Sequence, residues 1–213
     1  MRHYGLGIAL LMLLGLSACQ KDEYTHAEII TDYGNIEVIL YNKTPKHRDN
    51  FIKLANEGYY DDLLFHRVVN GFMIQGGDPD SRDAAPGAVL GRGGPGYKID
   101  AEIGAPHFRG ALAAARDGNP LKQSSGSQFY IVQGQPLKPE ALAQMEAQKG
   151  IKYTDAQRQV YLEDGGSPFL DGDYTVFGEV VSGMEVVEQI AAMETDPNNR
   201  PTQDVRMKVR ILD

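Results

Sequence analysis

Short runs of β-branched and aromatic residues recur along the whole of this 213-residue chain, and glycine or proline punctuates most of the gaps between them. Residues 27–31 and 35–41 flank Asp32-Tyr33-Gly34, a turn signal of the kind that joins hairpin strands. Further strand candidates follow at 63–69, 72–74, 110–115, 127–132, 175–181 and 205–212. Only two well-spaced segments read as core helices. The first opens at Thr44-Pro45, where threonine suits the cap and proline the first helical position; Phe51, Leu54 and Ala55 share a face before Gly58. The second covers 184–193, with Val186, Val187 and Ile190 at helical spacing. Strands spread from end to end with so few helices favour a mainly β fold, a closed antiparallel barrel, over a βαβ sheet.

Two stretches differ in texture. Residues 78–96 are rich in Gly, Pro, Asp and Ser and read as a long loop. Residues 136–166 read as a helical insertion between strands. Within it, 139–149 has helical composition and stops at Gly150. Thr154 with Gln157 makes a capping-box pattern before a helix to about Leu162, and Gly165-Gly166 stops that helix.

The N-terminus is a targeting signal. Arg2 supplies a positive start, and the apolar run at 6–16 is shorter than the roughly 20 residues that span a bilayer. It ends in Leu16-Ser17-Ala18-Cys19, which resembles a bacterial lipobox, whose cysteine receives a diacylglycerol and becomes the mature N-terminus. Cys19 is the sole cysteine, so no disulfide competes for it. The expected organisation is a signal peptide at 1–18, a lipidated tether at 19–26 and one domain at 27–213. Gln20, rather than Asp, follows the cysteine, which is compatible with the outer membrane. Residues 20–23 resemble a surface-export tag or form a plain solvated tether. The chain is therefore expected to be lipid-anchored and extracytoplasmic, on the periplasmic or cell-surface face.

Charge and motif spacing exclude several activities. A formal net charge of -8 argues against nucleic-acid binding, which rests on clustered Lys and Arg. The GxGxxG match at 91–96 lies in a loop, contains Pro95 and precedes no apolar helix, so it is no dinucleotide site. No metal site is expected, because His26, His47, His66 and His107 lack ligand spacing. Ser127 lacks the surroundings of a nucleophile elbow.

Three constellations remain. The densest runs from Phe65-His66-Arg67-Val68-Val69 through Gly71-Phe72-Met73-Ile74-Gln75-Gly76-Gly77-Asp78. In a strand starting at Phe65, Arg67 shares a face with Phe65 and Val69, while His66 points the other way and is structural. An arginine in such company needs acceptors or a cleft, and Gln75 can supply one. The second is Gly126-Ser127-Gln128-Phe129-Tyr130-Ile131, and the third runs from Phe169-Leu170-Asp171-Gly172 through Tyr174 to Gly178. Each of these two, taken alone, is a glycine turn followed by a half-buried strand.

Together and in this order the three resemble the cyclophilin family of peptidyl-prolyl cis/trans isomerases, over roughly residues 29 to 212. The resemblance implies an eight-stranded closed antiparallel β-barrel capped by two helices, here with the helical insertion. It also implies rotation about Xaa-Pro bonds of proline-containing polypeptides, without a cofactor and as a monomer. By motif position Arg67 resembles the catalytic arginine and Gln75 the residue that orients it. Phe72, Met73, Phe129 and Leu170 resemble the pocket for the proline ring, while Gln128 and Ala115 resemble the groove for preceding residues. The chain departs from many members at three places. Phe169 replaces a tryptophan, which implies weak cyclosporin binding. Tyr174 stands for a histidine, and Arg116 for an asparagine. A binding module with incidental turnover is the alternative reading. The insertion, beside the strand of Phe129 and the segment of Phe169, is expected to dock a partner, so that its loss spares activity on small peptides.

Overall fold

The computed structural model describes residues 24–212; the expected signal peptide at 1–18 and the expected lipidation site Cys19 lie outside the described residues. The first hairpin forms as its turn signal predicts, with β1 (Thr25–Thr31) and β2 (Gly34–Leu40) in antiparallel register from Thr25 opposite Leu40 to Thr31 opposite Gly34. Then follow α1 (Pro45–Asn56), β3 (Leu63–Leu64), β4 (Arg67–Val69), β5 (Met73–Gly76), β6 (Lys98–Ile99), β7 (Ala111–Ala114), β8 (Ser124–Ser125) and β9 (Phe129–Val132). The chain ends with α2 (Pro139–Lys149), α3 (Asp155–Glu163), β10 (Val176–Ser182), α4 (Met184–Ala191) and β11 (Arg206–Leu212).

Nine of these strands form one antiparallel sheet in the order β3-β11-β1-β2-β10-β7-β9-β5-β4. The expected closed eight-stranded barrel is therefore corrected to a curled, open sheet of nine. The reason lies in the run at 63–69, which is two strands and not one. β3 pairs with β11, β4 pairs with β5, and Phe65-His66 between them leaves the ladder. There the Phe65 N–H donates to Val205 O at 2.9 Å and the Val68 N–H to Asn199 O at 2.8 Å. One stretch of chain thus supplies both edges of the sheet, and the curl is joined covalently rather than by a continuous ladder. β6 and β8 pair apart from it, in segments to which the sequence assigns no element.

Strand alternation sorts the sheet into two faces. Val68, Ile74, Leu112, Ala114, Phe129 and Ile131 point into the main core, which α1 and α4 cap with Phe51, Leu54, Val187 and Ile190. Met73, Ala113, Tyr130 and Val132 point outward and build a second cluster with Leu170 and Val176. The break at Phe65-His66 also resets the alternation. Phe65 joins Val68 in the core instead of sharing a face with Arg67.

The insertion forms as its composition predicts. Both capping-box bonds are present, from the Gln157 N–H to Thr154 Oγ1 at 3.2 Å and from the Thr154 N–H to Gln157 Oε1 at 3.0 Å. It has a small core of its own around Leu142, Tyr153 and Tyr161.

Candidate active site

The outer face of β4, β5, β9 and β7 carries the polar residues that the motifs single out. Arg67 and Gln75 are cross-strand partners, and Gln75 in turn lies opposite Tyr130. Arg67 Nη1 donates to Gln75 Oε1 at 3.2 Å, Gln75 Nε2 to Gln128 Oε1 at 3.1 Å, and Gln128 Nε2 to Gly93 O at 2.8 Å. This relay aims the guanidinium and ties it to the long loop. Met73 Sδ lies 4.0 Å from the same nitrogen. Among the described residues Arg67 has no carboxylate partner, so its charge faces the hollow uncompensated and half-exposed.

The loop is held by Asp78, which is fully buried. Its carboxylate accepts from the Asp80 N–H at 2.9 Å and from the Gly91 N–H. Gly77 before it must be glycine: its φ is +87°, and a Cβ would lie 2.3 Å from Ser127 O. Ser127 Oγ returns a bond to Gly77 O at 2.7 Å. Close contact between these two turns is what brings the first and second motifs together.

Arg67, Phe72, Met73, Gln75, Ala115, Leu170 and Tyr174 line one hollow of about 120 Å³, together with Tyr130 and Arg116. Apolar Phe72, Met73 and Leu170 thus share its lining with the Arg67 guanidinium. Gln128 and Ala115 face the groove that continues beneath residues 91–94. Phe169 borders the site, 46% exposed, with its ring 5.2 Å from that of Phe72. Phe129 is not at the site. It is 1% exposed and packs edge-on against Phe51, Tyr60 and Phe65 in the main core. Tyr130, its neighbour on the outward face, takes the place expected for it. The signal was in the sequence, because Tyr130 shares the parity of Gln128 along the strand and Phe129 does not.

Arg116 lies over the Tyr174 ring, 4.7 Å from its centroid, and donates from Nε to Asp173 O at 2.8 Å. His66 departs from the expected orientation. It lines a second cavity jointly with Arg67, and neither ring nitrogen has a hydrogen-bond partner among the described residues.

A hollow lined by two arginines and by apolar side chains on the outside of a curled β-sheet, with no group of metal-ligating side chains among the described residues, has many conceivable owners. The family model described as "Cyclophilin type peptidyl-prolyl cis-trans isomerase/CLD" matches residues 26–210. The chain belongs to the cyclophilin-type peptidyl-prolyl isomerases. A Staphylococcus aureus protein named as a peptidyl-prolyl cis-trans isomerase is 36% identical over 176 residues, spanning 82% of this chain and 85% of its own. A bifunctional phosphatase/peptidyl-prolyl cis-trans isomerase of Streptococcus pyogenes is 36% identical over 83% of this chain, which covers 36% of that larger protein. A cyclophilin of Cryptosporidium parvum superposes with a TM-score of 0.63 at 27% identity, covering 89% of this chain and 98% of that one. The same protein in the presence of the dipeptide Ala-Pro gives 0.62.

Proposed function

We propose that this cyclophilin turns Xaa-Pro bonds in the hollow beside Arg67, by favouring the twisted imide over either planar isomer. The carrying observation is the juxtaposition of the Arg67 guanidinium, which has no carboxylate partner among the described residues and is aimed by Gln75, with the apolar lining of Phe72, Met73, Tyr130 and Leu170. Amide resonance imposes a barrier of about 18–20 kcal/mol, although the two prolyl isomers differ by only about 0.5–1 kcal/mol. No bond is made or broken, so the site needs no nucleophile. As the bond twists, the imide nitrogen becomes pyramidal and gains a lone pair. Arg67 is always charged and presents several N–H groups in a rigid fork, of which Gln75 occupies only Nη1. The remaining donors can meet that lone pair and a substrate carbonyl. The apolar lining holds the proline ring while the preceding carbonyl swings, and interactions gained only in the twisted state raise the rate. Ala115, Gln128 and Arg116 take the residues before proline, and Phe169 and Tyr174 flank the ring.

Exchange NMR on an Ala-Pro tetrapeptide tests this reading. The expected result is acceleration of cis/trans interconversion at substoichiometric protein. Binding without acceleration would make the chain a proline-binding module instead.

The lipobox supports a further part of the proposal: a lipid on Cys19 holds the enzyme outside the cytoplasm, at the outer membrane, where exported proteins are its substrates. Two acyl chains, at about 0.8 kcal/mol per buried methylene, anchor durably. An acyl analogue should label the wild type and not Cys19→Ala; equal labelling of both would remove the anchor.

A further inference from the structure

From sequence the helical insertion reads as a docking element, yet its inward polar groups converge on the segment that forms one wall of the proline hollow. Tyr153 Oη and Tyr161 Oη both donate to Asp171 Oδ2, at 2.7 and 2.6 Å. Lys149 Nζ donates to Phe169 O at 2.6 Å, to Asp171 O at 2.8 Å and to the Asp173 carboxylate at 2.5 Å. Asp171 directly follows the short turn Pro168–Leu170, which places Leu170 in the hollow and Phe169 beside Phe72 at its border.

The other oxygen of Asp171 looks the opposite way. Asp171 Oδ1 accepts from the His107 N–H at 2.8 Å and from His107 Nδ1 at 2.7 Å. Protonation of Nδ1 leaves Nε2 to accept from the Tyr130 hydroxyl at 2.9 Å, and the two rings stack 6.0 Å apart. Tyr130 is part of the lining of the hollow. Every member of this chain is buried, and the four bonds onto one carboxylate supply what a buried charge requires. Burial opposes ionisation of Asp171, but the bonds from His107, Tyr161 and Tyr153 prevail and hold its carboxyl below the usual range.

We propose that the insertion is a clamp on the proline hollow, with Asp171 as the positioning residue that fixes Leu170 on one side and Tyr130 on the other. This rests on the isomerase reading, and it predicts an effect on the shortest substrates. A preformed pocket wall loses little freedom on binding, so loosening the wall weakens substrate binding while Arg67 is untouched.

The test compares Tyr153→Phe/Tyr161→Phe with Gln144→Ala/Gln148→Ala, which alters exposed positions of the same insertion. On an Ala-Pro tetrapeptide the tyrosine pair, which deletes two hydrogen bonds to a charged group, should raise KM by about tenfold or more, with kcat within about twofold. The glutamine pair should leave both unchanged. Lys149→Met, half-buried at the edge of the layer, should raise KM in the same sense and serves if the tyrosine variant does not fold. Peptide affinity read from Tyr130 shifts in NMR gives the same comparison without turnover, so absence of catalysis in the wild type would sink the isomerase reading and still decide on the clamp. Wild-type KM and affinity in folded Tyr153→Phe/Tyr161→Phe and Lys149→Met would overturn it, and the insertion would then face partners only.

Discussion

Arg67→Ala should lower kcat/KM on an Ala-Pro tetrapeptide by on the order of 10²–10³, the typical effect of deleting one preorganised donor. The magnitude follows from what Arg67 faces. It has no carboxylate partner among the described residues, and Gln75 takes only Nη1, so its other donors are free to meet a substrate. For the same reason the fold should survive: a half-exposed side chain with one hydrogen bond contributes little to stability. Arg67→Lys restores the charge without the planar fork and should recover only part of the activity. Circular dichroism and a melting curve establish that each variant is folded. An alanine variant that turns over at near the wild-type rate would take Arg67 out of the mechanism.

The second large effect is on stability in mild acid, and its source is His66. The ring is 4% exposed, neither nitrogen is partnered among the described residues, and desolvation lowers its pKa to about 4. Asp78 pulls the value up, while Arg67 and Arg200 push it further down. In the unfolded chain a histidine titrates near 6.5. Between about pH 6.5 and 4 the unfolded state therefore binds more protons than the native one, and stability must fall as pH falls through that window. The full loss is roughly 3 kcal/mol, at about 1.4 kcal/mol per pH unit. His47 is also buried and shifted down by desolvation, partly offset by its bond to Glu102, so it adds a slope of the same sign. Urea midpoints from pH 8 to pH 4 measure the sum. His66→Leu removes one titrating ring and leaves the other, so its slope should be distinctly shallower; an unchanged slope would show that His66 is not the source. Asp171 and Asp173 act lower still. Their depressed pKa values hold stability above the ordinary carboxylate range and release it only as pH drops through their folded values.

The sequence carried most of the fold and part of the site, and particular residues explain the difference. Hairpin, helices and insertion were legible because their signals are local: Asp32-Tyr33-Gly34 at the turn, Pro45 opening α1, and Thr154 with Gln157 capping α3. The open edge was not, because one hydrophobic run at 63–69 serves two neighbours, and its division at Phe65-His66 depends on Val205 and Asn199 far along the chain. That break also turned Phe65 inward and brought His66 to the same cavity as Arg67. Within the site, Arg67, Gln75, Met73 and Gln128 stand where the motifs put them on the outward face, whereas Phe129 was placed one residue out of phase with Tyr130. Two adjacent aromatics look alike in composition, and only strand parity separates them. The His107–Asp171–Tyr161 chain was invisible because His107 lies 64 residues from Asp171 and each member reads alone as an ordinary core or loop residue.

Side-chain relaxation dispersion during turnover of an Ala-Pro tetrapeptide tests the central claim most directly, since it watches the groups said to grip the twisting bond. The Arg67 Nε, the Met73 methyl and the Tyr130 ring should all show exchange at the rate at which the bound peptide interconverts. A peptide that interconverts at the catalysed rate while these three groups stay silent would place the chemistry elsewhere on the molecule.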